Sequence, residues 1–178
     1  LVFNSLNLSF ITHDDFNFFM EGNIEFLSKY YDTLGRPIAA LFLRSSEYLN
    51  LTGFGDLYTK IRLPLIFILT LSIYLSVKFF DYWRVDYHFS IPFSVALFLL
   101  PQTGAQLIWL QTAPGLISTT LGLLAVLTFL QWMKNGAKLN LFLTGLLICC
   151  SLMTYPSSTF IFALFSGIGM VLCLVETK

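Results

Sequence analysis

The chain has 178 residues, of which 56% are hydrophobic and only 11% are charged. With a mean hydropathy of +0.75, it has more apolar side chains than a soluble domain of this length can bury. The formal net charge is zero, so the chain lacks the basic surface with which proteins bind nucleic acid. The composition therefore predicts a protein of the lipid bilayer and excludes a nucleic-acid-binding protein.

Residues 1–11 are apolar but too short to cross a bilayer, which requires roughly 20 helical residues. Because the chain also lacks an initiator Met, we interpret this segment as the end of a truncated first transmembrane span. A cleaved signal peptide is the alternative, although nothing resembling its cleavage site follows.

Residues 12–62 contain seven of the ten acidic residues, including the adjacent pair Asp14 and Asp15 directly after His13. A carboxylate pair at a membrane surface can act as a general base or hold a phosphate-bound divalent metal. The alternative is that one aspartate only caps the helix that begins near Phe16. His13 is either an interfacial polar residue or a substrate ligand.

Two amphipathic helices are predicted in this segment. Apolar residues recur at helical spacing from Phe16 to Leu34, with Ser28 on the opposite, polar face, and Gly35 suits the C-terminal cap. Pro37 fits the first position of a second helix, whose predicted apolar face comprises Ile38, Leu41, Phe42, Tyr48 and Leu49. A third helix then carries Lys60 and Arg62 into the membrane. These two cations are either snorkelling anchors or phosphate ligands.

Residues 63–178 contain apolar stretches that predict about five transmembrane helices, at 63–80, 89–110, 114–133, 139–154 and 157–175. Short loops on one side of these spans carry basic residues, whereas the two loops on the other side have none. The positive-inside rule therefore places residues 81–88 and 134–138 in the cytoplasm and residues 12–62 outside it. Aromatic residues at the cytoplasmic side are typical of an interfacial belt, namely Tyr82, Trp83 and Tyr87.

One uncharged outer loop contains Gln106 and Trp109, an amide and an aromatic ring of the kind that lines carbohydrate sites. A tryptophan at this depth is equally typical of a membrane interface.

Several of these features together resemble a known family. They are the Asp14–Asp15 pair at the start of the outer segment, the sequence Gly35-Arg36-Pro37-Ile38 about twenty residues later, the two juxtamembrane helices, and Tyr155 before the last span. This arrangement is similar to the GtrII-type glucosyltransferases that modify O-antigen, within the GT-C class of polytopic membrane glycosyltransferases. The resemblance implies an all-α transmembrane bundle in the bacterial cytoplasmic membrane, with residues 12–62 in the periplasm.

The resemblance also implies a reaction. A sugar, glucose in this family, passes from a polyprenyl-phosphate donor to a glycan acceptor by a single displacement that inverts the anomeric centre. One of Asp14 and Asp15 would be the base, and the other would orient a sugar hydroxyl or a metal. Arg36, Lys60 and Arg62 would stabilise the departing phosphate, since arginine offers a bidentate fork.

Other functions compatible with the sequence are a transporter or flippase, a ligase or polymerase of surface polysaccharide, and a noncatalytic membrane scaffold. Transport usually requires ionisable groups within the spans, yet residues 89–133 contain no charged side chain. The sequence therefore favours an enzyme whose polar groups lie at the membrane surface.

Overall fold

The computed structural model describes residues 24–48, 57–99, 113–155 and 160–176. These ranges form helices joined by short connections, and they contain no strand. In chain order the helices are α1 Ile24–Thr33, α2 Pro37–Tyr48, α3 Leu57–Tyr82, α4 Tyr87–Leu99, α5 Ala113–Asn135, α6 Lys138–Thr154 and α7 Phe160–Glu176. The predicted all-helical architecture is thus confirmed over the described part of the chain.

Within the described ranges, two helices are long and apolar enough to cross a membrane, over Pro64–Tyr82 of α3 and Pro114–Asn135 of α5. The other apolar helices, α4, α6 and α7, have apolar stretches of 10–17 residues, which are shorter than these two. Each of the five predicted spans coincides with one of these helices, although the predicted second span continues to residue 110, beyond the described residues.

Helix α5 lies at the centre of the bundle and packs against α3, α6 and α7, while α4 packs on α3. The core between α3 and α7 is aromatic, with the rings of Phe79 and Phe165 packed edge to face at 4.9 Å. Such aromatic pairs add to the stabilisation that burial alone provides.

Contacts near the helix ends define two ends of the bundle. At one end the Tyr82 hydroxyl lies 3.4 Å from the Leu130 carbonyl oxygen, which joins the C-terminal ends of α3 and α5. At the other end the Ser118 hydroxyl lies 2.9 Å from the Tyr155 carbonyl oxygen, which joins the start of α5 to the end of α6. Residues 82–88 and 134–138 therefore share one end, and residues 113–118 and Tyr155 share the opposite end.

A tight hairpin joins α1 to α2. Gly35 adopts a left-handed conformation with φ of 69°, which a residue without Cβ adopts at little cost. The Gly35 amide donates to the Asp32 carbonyl oxygen at 3.0 Å, and the Arg36 amide donates to that of Tyr31 at 2.9 Å, so the last carbonyls of α1 are satisfied in a Schellman motif. Pro37 then begins α2, as its fixed φ favours. The predicted cap and restart are both confirmed.

The apolar periodicity of α1 and α2 does not mark the side of each helix that is buried within the protein. Ser28, predicted to be on the polar face, is 1% exposed, whereas Leu34 and Leu41, predicted to be on apolar faces, are 46% and 62% exposed. The reason is that α1 packs on α2, and α2 in turn packs on α6 and α3. Small residues permit these helices to approach closely. Ala39 and Ala40 are completely buried for this reason.

Hydroxyl side chains join the apolar helices in pairs. Between α3 and its neighbours, Ser72 meets Thr120 at 2.7 Å and Ser76 meets Ser94 at 2.9 Å. Where little water is present, such interhelical hydrogen bonds satisfy polar atoms that would otherwise be costly to bury. The sequence analysis predicts these helices from their apolar runs and does not identify this network.

Candidate functional site

Most of the sequence-predicted site residues lie outside the described part of the chain, namely His13, Asp14, Asp15, Gln106 and Trp109. Lys60 and Arg62 lie within the first two turns of α3, ahead of Pro64. Within the four described ranges, no three His, Cys, Asp or Glu residues are grouped so as to hold a metal ion. Arg36 is therefore the predicted ligand whose surroundings the structure describes most fully.

The backbone of Arg36 is held on both sides. Its amide donates to the Tyr31 carbonyl oxygen at the end of α1, and its own carbonyl oxygen accepts from the Ala40 amide at 3.2 Å, in the first turn of α2. Because Pro37 also fixes its own φ and restricts the conformation of the residue before it, the point from which the Arg36 side chain projects is well defined.

The Arg36 guanidinium lies over the ring of Tyr155, with its Cζ atom 4.8 Å from the ring centroid. This cation–π contact joins the α1–α2 hairpin to the end of α6 and contributes about 0.5–2 kcal/mol, depending on how much water is excluded. A guanidinium stacked on a ring still has its N–H groups directed outward in its own plane, where they can bind an anion.

Arg44, only two turns further along α2, has a different role. Its guanidinium forms an ion pair with the Asp32 carboxylate, and its Nε lies 3.3 Å from the Ser28 hydroxyl, so Arg44 holds α1 against α2. Arg36 has no carboxylate partner among the described residues. Of the two arginines in the hairpin, Arg36 is therefore the one available for a ligand.

The backbone of Tyr155 is fixed by hydrogen bonds to the end of α6 and the start of α5. Its amide donates to the Ser151 carbonyl oxygen at 3.0 Å, and its carbonyl oxygen accepts from the Ser118 hydroxyl. Ser118 and Ser151 are completely buried and their hydroxyl oxygens lie 2.8 Å apart. These serines position the ring on which Arg36 rests.

Sequence reasoning named Arg36 as a site residue but did not place Tyr155, Ser118 or Ser151 in the site. The available signal was the presence of hydroxyl residues in otherwise apolar helices, since such residues find hydrogen-bond partners between helices. Nothing in the sequence indicated which helix would supply those partners.

Ser118→Ala is expected to lower the free energy of unfolding by about 1–3 kcal/mol, because it leaves the buried Ser151 hydroxyl and Tyr155 carbonyl with fewer partners. The matched control is Ser45→Ala, since Ser45 is exposed and bonds only to the Leu41 carbonyl of its own helix. That control should stay within about 0.5 kcal/mol of the parent. Unfolding in detergent micelles, followed by circular dichroism, measures the free energy of unfolding of both variants. Equal losses of this free energy would contradict the role of Ser118 in fixing Tyr155.

No family model, curated protein or solved structure matches the chain. The function is therefore argued from the residues themselves and from the arrangement of Arg36, Tyr155 and their supporting serines.

Proposed function

We propose that the chain is part of a polytopic membrane glycosyltransferase of the GT-C type, and that it transfers glucose from a polyprenyl-phosphate donor to a surface glycan such as O-antigen. The observation that carries the proposal is the Arg36 guanidinium, fixed in a tight turn and stacked on Tyr155 at one end of an apolar helical bundle. Both residues belong to the pattern on which the resemblance rests.

Insertion in a membrane is supported by the outer surface of the bundle. Large apolar side chains on three different helices point away from the protein, and Phe67, Phe142 and Met170 are between 67% and 71% exposed. In water such a surface would promote aggregation, whereas in a bilayer it contacts acyl chains at no cost. The hydroxyl pairs between the helices fit the same environment.

The proposed orientation is testable by labelling single cysteines after Cys149, Cys150 and Cys173 are replaced. Thr33 and Asn135 are both exposed and lie on opposite sides in the proposed topology. On intact cells with a permeabilised outer membrane, an impermeant maleimide should label Thr33→Cys and should label Asn135→Cys only after the inner membrane is opened. The reverse pattern would rule out both the orientation and a periplasmic site.

A phosphate ligand suits Arg36 for physical reasons. The head group of a polyprenyl-phosphate donor lies at the membrane surface, and the departing phosphate gains negative charge as the bond to the sugar breaks. Hydrogen-bond donors that are already in place stabilise this charge without reorganising during the reaction. A guanidinium held by a rigid turn and an aromatic ring is such a donor, and Lys60 and Arg62 are proposed to add positive charge nearby.

The remaining steps are assigned to residues outside the described part of the chain. One of Asp14 and Asp15 takes the proton of the acceptor hydroxyl as its oxygen attacks the anomeric carbon, and the bond from that carbon to the phosphate oxygen breaks. The configuration at the carbon is inverted, and the polyprenyl phosphate departs with the bonding electrons. His13, Gln106 and Trp109 are proposed to bind the sugar or the acceptor.

Arg36→Lys is the experiment that tests the phosphate role. Lysine keeps the positive charge but loses the planar fork, and a charge-assisted hydrogen bond contributes about 1.5–3 kcal/mol. We therefore expect kcat/KM for glucose transfer from a polyprenyl-phosphoglucose donor to fall about 10- to 150-fold. The assay uses membranes containing the full-length protein and follows radiolabelled glucose into lipopolysaccharide.

Arg44→Lys is the matched control, because Arg44 lies on the same helix but is paired with Asp32, and its variant should transfer at a near-parental rate. Tyr155→Phe should likewise remain active, since it keeps the ring, whereas Tyr155→Leu removes the surface on which Arg36 rests and should lower transfer. Parental rates for Arg36→Lys and Tyr155→Leu would disprove this site.

A further inference from the structure

A second candidate site lies at the end of the bundle opposite to Arg36. A cavity of about 430 Å³ opens between α5 and α7, and its lining is almost wholly apolar, including Phe129, Leu130, Met133, Phe165 and Met170. Its size falls within the range of small-molecule sites. We refer to it as the α5–α7 groove.

Two buried polar atoms at this groove have no hydrogen-bond partner among the described residues. They are the indole Nε1 of Trp83 and the hydroxyl of Ser166, which both line the groove. An indole N–H can only donate a hydrogen bond, and a buried donor without an acceptor is costly. The groove therefore lacks acceptor atoms that a bound molecule would supply.

Trp83 is packed more tightly than its expected place in an aromatic belt implies. Its ring lies against Gly169, where an added Cβ would come within 3.3 Å of the indole. In contrast, Tyr87 from the same predicted belt is 63% exposed. The indole N–H of Trp83 thus lies at the groove, and the interfacial aromatic belt stays a prediction.

Two cations adjoin groove-lining residues in the sequence. Arg84 directly follows Trp83, and Lys134 directly follows Met133; both are exposed and unpaired with any carboxylate among the described residues. Of the acids at this end, Asp81 pairs with Lys78, whereas Asp86 accepts from the His88 amide and keeps its negative charge. The connections 82–88 and 134–138 thus carry three basic side chains and one acidic side chain, an excess that favours a negatively charged head group at this end.

We propose that the α5–α7 groove binds one anionic glycerophospholipid. An acyl chain fills the apolar part, the ester carbonyl oxygens accept from Trp83 and Ser166, and the phosphate lies between Arg84 and Lys134. Ester carbonyls distinguish this lipid from a polyprenyl phosphate, which has none. Basic pockets between membrane helices on the cytoplasmic side recognise anionic head groups by the same chemistry.

Quenching of Trp83 fluorescence by brominated lipid tests the proposal. The chain with Trp109→Phe and Trp132→Phe retains one tryptophan, and it is reconstituted into nanodiscs containing brominated phosphatidylglycerol or brominated phosphatidylcholine at equal mole fractions. We expect a relative binding constant favouring phosphatidylglycerol by about 5- to 30-fold, as one or two basic side chains near the phosphate imply. Equal quenching by the two lipids would overturn the proposal.

Two variants and one control test whether the lipid preference arises at the groove. Ser166→Leu fills the groove and should abolish the preference, whereas Gly167→Leu, one residue away where an added Cβ meets nothing within 4 Å, should keep it. The double variant Arg84→Gln, Lys134→Gln leaves the groove intact and should also reduce the preference to near unity. A preference that survives Ser166→Leu and the double variant would place the lipid elsewhere. If neither lipid quenches Trp83, the assumption of membrane insertion itself fails. Equal quenching by the two lipids overturns only the proposed lipid site, so the two failures are distinguishable.

Discussion

Replacing Asp14 or Asp15 by Asn is expected to reduce glucose transfer by the full-length protein about 100- to 10,000-fold, the usual effect of losing a general base. Asparagine has nearly the same shape as aspartate but cannot accept the proton of the acceptor hydroxyl. Because the sequence does not show which carboxylate faces the acceptor, one of the two variants should have the full effect and the other a smaller one.

The competing explanation for the pair is a helix cap, and the same variants separate it from catalysis. Asparagine caps a helix about as well as aspartate, so a capping role predicts folded protein that turns over at a near-parental rate. The measurement is transfer rate per folded molecule, with folded protein quantified by size-exclusion chromatography in detergent. If both Asn variants transfer glucose normally, the pair is not the catalytic site, and the phosphate role of Arg36 must then be judged on its own variants.

Gly122→Val is expected to be less stable than Gly145→Val by about 1–3 kcal/mol, the usual cost of overpacking a core. At Gly122, where α5 meets α7, a Cβ would come within 2.5 Å of the Cγ2 atom of Ile161. Isoleucine is stiff at χ1, so its methyl group cannot simply rotate away. The helices would have to separate.

Gly145 provides the control because it also lies inside an apolar helix, but an added Cβ there meets nothing within 4 Å. The intrinsic helix propensity changes equally in the two variants and cancels in the comparison. Unfolding in mixed detergent micelles gives both free energies. Equal stability of the two variants would mean that α5 and α7 do not approach each other closely at Gly122.

The sequence by itself determined the helical elements and their approximate limits. Long apolar runs in the sequence predict helices, because a backbone in an apolar medium must satisfy its hydrogen bonds within its own segment. The turn at Gly35 and Pro37 was equally readable, since a left-handed φ and a fixed φ are properties of single residues. Arg36 stood out in the sequence because it lies in this turn.

Only the tertiary structure decided which side of each helix is buried and which polar groups meet. The apolar periodicity of α1 and α2 did not indicate that Ser28 is buried and Leu41 exposed, because the neighbouring helices define which side of each helix faces the interior. The contact of Arg36 with Tyr155 joins residues far apart in the chain. It depends on how α2 packs against α6, and such pairwise packing leaves no periodic signal in the sequence of either helix.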